Sequence, residues 1–171
     1  MNGPQSRVCL VAAMVLANAS LVLVASAAGP TVRVDPMNSV GPRPVEEQTQ
    51  SSILRDYLAS WQALNKAMSE NRSDLLDAYF VGQAKQQLTD TVREQTNIGI
   101  RTAYHDTSHH ISVLFYSPEG LSIQLIDEVE YEITIRKGEQ LVAARSVRTR
   151  YVAVLTPTES RWKVRLFQGG A

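Results

Sequence analysis

Residues 121–136 read LSIQLIDEVEYEITIR, and their period of two sets the fold class. Leu121, Ile123, Leu125, Val129, Tyr131, Ile133 and Ile135 alternate with Ser122, Gln124, Glu128, Glu130, Glu132 and Thr134. Successive side chains of a strand point to opposite faces, so the odd positions face a core and the even ones face solvent. One odd position does not fit: Asp127, between Leu125 and Val129. A buried carboxylate must be paired, protonated or set against a cavity. Asp127 is therefore the first candidate for chemistry.

The same period runs on both sides of this stretch. It predicts four strands, at about 100–116, 121–136, 140–156 and 161–168. Ser117-Pro118-Glu119-Gly120, Lys137-Gly138 and Pro157-Thr158-Glu159 supply the turns. Three tight connections make an antiparallel meander. Setting Leu155 opposite Trp162 places Ala153 by Val164 and Tyr151 by Leu166, and carries Thr149, Val147 and Arg145 onto the inward face. The matching register for the middle pair sets Leu125 by Tyr151, Asp127 by Thr149 and Tyr131 by Arg145.

Before the strands the period is helical. Ile53, Leu54, Tyr57, Leu58, Trp61, Leu64 and Met68 form one apolar stripe from Ser51 onward, with Arg55, Asp56, Gln62, Lys66 and Glu70 opposite. Asn71 ends this helix. Ser73 then reads as an N-cap for a short helix over 74–80, carrying Leu75, Leu76, Tyr79 and Phe80. After Gly82, the spacing of Ala84, Leu88 and Val92 predicts a third helix, stopped near Asn97 with Gly99 as a left-handed cap. Gly29–Gln50 reads as a linker, interrupted by Pro30, Pro36, Pro42 and Pro44. The expectation is an α+β domain over 51–171, with three helices on a curved four-stranded antiparallel sheet, preceded by an apolar segment.

That apolar segment gives an address. Arg7 precedes an uncharged run from Val8 to Ala28 that ends in Ala25-Ser26-Ala27, the small-x-small pattern of a signal-peptidase site. The run is long for a signal peptide and adequate for a spanning helix, so both readings stay open for residues 1–28. Either one exports the rest of the chain, as a periplasmic protein or one anchored to the cytoplasmic membrane by residues 8–28, its only membrane contact. Cys9, the single cysteine, lies inside the run, so the exported part forms no internal disulfide. The chain carries 17 Lys+Arg and 17 Asp+Glu. That balance lacks the basic excess which nucleic-acid binding needs.

The order of elements resembles the nuclear transport factor 2-like superfamily. The residues behind the resemblance are the Tyr57/Trp61 stripe, Leu75-Leu76-x-x-Tyr79-Phe80, and the ending Tyr151-Val152-Ala153-Val154 with Arg161-Trp162-Lys163-Val164. It covers about residues 51–168 and rests on apolar spacing rather than chemistry. It implies a cone-shaped (cystatin-like) fold, shared with ketosteroid isomerase and many polyketide cyclases, in which the long first helix crosses the sheet. Enzymes of the superfamily place a tyrosine on the first helix, a carboxylate base after it and an acid on a strand. Tyr57 and Asp127 match the first and third by position, and Asp77 is the one candidate for the second. An apolar segment, spacer and cone also look like accessory proteins of bacterial envelope machines. Such a fold hosts enzymes, binders and scaffolds alike.

The pocket candidates are Tyr57, Trp61, Asp127, Tyr131, Arg145, Thr149 and Tyr151. Against a pocket stand two plainer readings: a bulge that turns Asp127 to water, or a structural bond from Asp127 to Thr149 or Arg145. The aromatic residues fit a simple core equally well. His105, His109 and His110 are too spread along a strand to chelate one ion, so no metal is expected. No cofactor motif is present. Arg148, Arg150, Arg165 and Phe167 fall on the outward sheet face, opposite Glu128, Glu130 and Glu132, as a cross-strand charge ladder or a partner surface. The sequence thus favours a non-enzymatic envelope protein that binds a protein partner, or a second copy of itself, through the sheet. The alternative is a binder or enzyme for a small apolar molecule in the cone, using Asp127.

Overall fold

The computed structural model describes residues 29–37 and 41–170. The apolar segment 8–28 and Cys9 lie outside the described residues. Among those described, no helix is long and apolar enough to cross a membrane.

Helix α1 spans Glu47–Glu70 and starts four residues before Ser51. It buries Ile53, Tyr57, Trp61, Leu64, Ala67 and Met68, the stripe that steps of three and four bring onto one face. Asn71 ends it at φ 55°, its N–H donating to the Ala67 carbonyl. The Asn71 side chain then donates to the Ile100 carbonyl at 2.9 Å, and Gln95 donates to the Met68 carbonyl at 2.6 Å. Both bonds tie the helix end into tertiary structure and satisfy carbonyls that a helix terminus or strand start leaves open.

The helix expected over 74–80 is a single 3₁₀ turn, Ser73–Leu76. Ser73 does not cap it; Arg72 instead forks onto the Asp74 carboxylate at 3.2 and 2.6 Å. The backbone after the turn is committed elsewhere. Val164 N–H donates to the Tyr79 carbonyl at 2.8 Å, and Val81 N–H donates to the Val164 carbonyl at 2.9 Å. Those bonds lay Tyr79–Val81 along a strand and preclude a longer helix. Helix α2 follows at Gly82–Asn97, with Gly82 and Gly99 at φ 55° and 73° on either side of its turns.

The sheet has five strands in the order β1-β2-β3-β4-β5: Thr31–Val34, Ile100–Tyr116, Ile123–Lys137, Gln140–Pro157 and Trp162–Gly170. β2 to β5 are the expected meander. β1 is not expected: it comes from the stretch read as linker and pairs in parallel with Ser108–Ile111 of β2. Met37 and Val45, from the same stretch, are 2% and 3% exposed and join the core. Four residues, TVRV, are too few to show a period, and only pairing with a distant strand makes them one.

The three antiparallel pairs carry extra residues that adjust their faces, two in β2–β3 and one in each of the others. Thr107 and Leu114 are extra in β2, Val142 in β4 and Arg165 in β5. Two registers differ from expectation in consequence. Asp127 lies opposite Tyr151, Val129 opposite Thr149 and Ile133 opposite Arg145, two residues away from the predicted pairing. The turn centred on Gly138 and Glu139, together with the extra Val142, accounts for the offset. A slip of two keeps every side chain on its face, so Asp127 still points inward. In the last hairpin, Leu155 lies opposite Val164 but Ala153 lies opposite Phe167. The extra Arg165 reverses the faces beyond it and turns Phe167 inward.

Candidate functional site

The inward face of the sheet and the stripe of α1 enclose one polar cluster. Asp127 comes from the middle of β3 and is 0% exposed. The Tyr57 hydroxyl, from α1, donates to Asp127 Oδ2 at 3.0 Å. His109 of β2 reaches the same oxygen through Nδ1 at 2.7 Å. Across the His109 ring, Nε2 lies 3.9 Å from Asp106 Oδ2. The extra residue Thr107 sets this geometry. Without it, His105 would share the inward face with His109; with it, Asp106 and Tyr104 turn inward and His105 is exposed.

Electrostatics follow from this enclosure. Burial works against a charged His109, but the Asp106 and Asp127 carboxylates outweigh it and push the imidazole up to about 9. His109 is thus an imidazolium at neutral pH and donates to Asp127. Burial, then the Asp127 charge, holds the Tyr57 phenol well above its ordinary value. Burial, then the Tyr131 hydroxyl, does the same for Tyr151. Both phenols keep their protons and serve as hydrogen-bond donors.

Around the cluster the cone is filled. The Trp61 ring packs against His109, Tyr131, Tyr151 and Phe167, at centroid distances of 5.4, 6.1, 5.1 and 5.3 Å. Tyr151 and Phe167 stack at 4.6 Å. The Tyr131 and Tyr151 hydroxyls are 3.4 Å apart. The surface depressions are not lined by Tyr57, His109 or Asp127. The one that comes nearest touches Asp106, between Gly29-Pro30, α1 and Tyr104. Tyr57, Asp127 and His109 form a hydrogen-bonded chain buried from solvent. Four buried polar atoms of this region lack a protein partner among the described residues: Trp61 Nε1, Asp106 Oδ1, His109 Nε2 and Asp127 Oδ1.

The structure brings five of the seven pocket candidates together: Tyr57, Trp61, Asp127, Tyr131 and Tyr151. The other two are elsewhere. Arg145 is exposed toward the β3–β4 turn, carried there by the two-residue offset, so it neither pairs with Asp127 nor faces a ligand in the cone. Thr149 donates its hydroxyl to the Gly170 carbonyl at 3.0 Å, not to Asp127. Asp77 is exposed and pairs with Lys85 at 3.1 Å, far from any role as a base in the cone. Of the surface candidates, Arg148 and Arg150 are exposed on the outward face, Arg165 is exposed at its bulge, and Phe167 belongs to the cone. The ladder is real in register, with Glu128 opposite Arg150 and Glu130 opposite Arg148, the latter pair closing to 3.3 Å. His109 was missed as Asp127's partner, although it lies two and four residues before Ile111 and Val113 on their face. His110 points away and bonds Asp35 at 3.0 Å.

No protein-family model matches the chain, and no curated protein matches it in sequence. Solved structures do. The intermembrane space region of chloroplast protein ARC6 superposes with a TM-score of 0.60 at 16% identity, covering 74% of this chain and 98% of that one. A putative scytalone dehydratase from Novosphingobium aromaticivorans gives 0.52 at 13%, covering 74% and 89%. A protein from Catenulispora acidiphila gives 0.50 at 10%, covering 72% and 94%. At these identities the likeness shows the fold alone, helices packed on a curved antiparallel sheet, in keeping with the resemblance to the nuclear transport factor 2-like superfamily read from the sequence.

Proposed function

We propose that this is a non-enzymatic domain, held outside the cytoplasmic membrane, that binds a protein partner through the outward face of its sheet. One observation carries the reading: the cone that serves as a pocket in a fold of this kind is sealed, with Tyr57 and Asp127 at 0% exposure and Trp61 and His109 at 2%. A domain whose interior is closed interacts through its surface. The outward face offers a suitable one. Val152, Val154 and Leu166, each half-buried, form an apolar strip across β4 and β5, with Ile126 buried at its β3 side, and Arg148, Arg150 and Arg165 stand beside it. Arg148 is engaged by Glu130, whereas no carboxylate of the described residues pairs with Arg150 or Arg165. A partner with a small apolar surface and carboxylates at its rim fits that pattern. The address rests on the run Val8–Ala28 and the Ala25-Ser26-Ala27 pattern.

Photo-crosslinking tests it. A crosslinking residue at Val152 in the expressed full chain should capture an envelope protein, and Arg150→Glu with Arg165→Glu should abolish the adduct. The same probe at Glu94, exposed near the far end of α2 and away from Val154, Arg165 and Leu166, should capture nothing. Equal capture at both positions, or none at Val152, refutes the surface.

The four unpartnered polar atoms around His109 favour a second reading, in which the cone opens to a small molecule carrying a hydroxyl or carbonyl group. The likeness to a protein named as a putative dehydratase is in keeping with it. Native mass spectrometry of the protein from cells separates the two. A retained small molecule, lost in Asp127→Asn, would favour the second reading over the first.

A further inference from the structure

β4 is longer than the strand beside it. β5 pairs only with Arg150–Pro157. The rest of β4, Gln140–Thr149, is bonded to β3 on one side and, among the described residues, to no strand on the other. An open edge presents N–H and C=O groups at every second residue and templates the addition of another strand. The other edges are partly covered, by β1 over Ser108–Ile111 and by Tyr79–Val81 at Val164.

This edge is only lightly guarded. Protective edges carry proline, charged side chains, bulges or a covering segment, and here the extra Val142 and two arginines are the devices present. The stretch QLVAARSVRT has no proline or lysine. Residues 140–146 are all exposed, with Leu141 at 52% and Val142 at 56%. Its only charges are Arg145 and Arg148.

We infer that this edge pairs antiparallel with the same edge of a second copy of the chain, about a two-fold axis at Ala144. The sequence is complementary to itself in that register. Ala144 meets Ala144, so small side chains sit where the copies are closest. Ala143 of one copy lies opposite Arg145 of the other, which keeps the two Arg145 side chains from facing each other directly, and past the extra Val142 the alternation resumes with Leu141 opposite Ser146. With Val142 counted as extra, Gln140 falls opposite Val147 and Glu139 opposite Arg148 of the other copy, so opposite charges meet at both ends. The two sheets become one, and the same patch serves both copies, as a two-fold contact requires.

The test uses the full chain, purified in detergent, with its mass read by sedimentation and native mass spectrometry. The expected result is a reversible dimer. Ala144→Lys and Ala144→Glu, each placing like charges across the axis, should each run as a single copy with an unchanged circular dichroism spectrum and melting temperature. Mixing the two variants should restore the doubled mass. In a Cys9→Ser background, Ala144→Cys should form an intermolecular disulfide on oxidation. A monomeric wild type overturns the proposal, as does a dimer that survives both charged variants or a mixture that fails to reassociate. Val152→Glu with Arg165→Glu should leave the dimer intact. If that pair abolishes it while Ala144→Lys does not, the edge proposal falls and the copies meet through the outward face, which is a distinct outcome for the proposed function.

Discussion

Raising the pH from about 6 to about 9 should remove stability from this fold chiefly through His109. The imidazole lies between the Asp106 and Asp127 carboxylates and is pushed up from 6.5 to about 9. In that interval the folded chain holds a proton that the unfolded chain releases. The stabilisation is therefore complete below about pH 6.5, declines as the pH rises, and is gone above about pH 9. The gap is worth about 3 kcal/mol at most, taking about 1.4 kcal/mol for each tenfold change in proton affinity. That is a large share of a typical domain stability of about 5–15 kcal/mol. Urea unfolding of wild type and His109→Gln, from about pH 6 to pH 10, measures it. Tyrosines and lysines titrate in both proteins, so the difference between the two curves belongs to His109. The wild type should lose about 3 kcal/mol more than the variant over this range. Parallel curves would refute the reasoning, and so would an imidazole midpoint at or below 6.5 in an NMR titration of the folded wild type.

Three further substitutions probe the same architecture. Tyr57→Phe removes one donor to Asp127 Oδ2 but keeps the ring, and should cost about 1 kcal/mol in denaturant unfolding without changing the far-ultraviolet spectrum. Trp61→Ala empties the centre of the cone, should cost about 3–5 kcal/mol, and should create a cavity that binds an apolar dye absent from wild type. Asp56, 4% exposed, accepts the Trp162 N–H at 2.8 Å and so ties α1 to the start of β5. Asp56→Ala should cost about 1–3 kcal/mol and speed amide exchange at Trp162 first.

Among the described residues, aromatic rings fill the space between α1 and the sheet. Trp61 occupies the centre, and the inward turn of Phe167 stacks a second ring on Tyr151. The polar groups that remain inside are satisfied by one another only in part, since Trp61 Nε1, Asp106 Oδ1, His109 Nε2 and Asp127 Oδ1 lack a partner among the described residues. Asp127 takes two donors, from Tyr57 and His109, and its buried charge is met by a buried imidazolium. Such a pair fixes the relative positions of α1, β2 and β3, because each contributes one member. Removing Asp127 would leave both donors buried without their shared acceptor.

Local periodicity was enough for much of this protein. The alternation over 121–136 set the inward face that holds Asp127, and the helical stripe placed Tyr57 and Trp61 opposite it. Both follow from the geometry of a single element, so neighbours in sequence suffice to read them. The left-handed ends at Asn71 and Gly99 were legible for the same reason. Tertiary structure decided what depends on a second segment. β1 exists only because β2 offers it an edge, and Tyr79–Val81 leaves the helical path only because Val164 binds it. The single extra residues at Thr107, Val142 and Arg165 have no mark in the sequence, yet they exposed His105, moved Arg145 out of reach and turned Phe167 inward. A strand's period is fixed by its own backbone, but where one residue is added to it is fixed by the strand it must match.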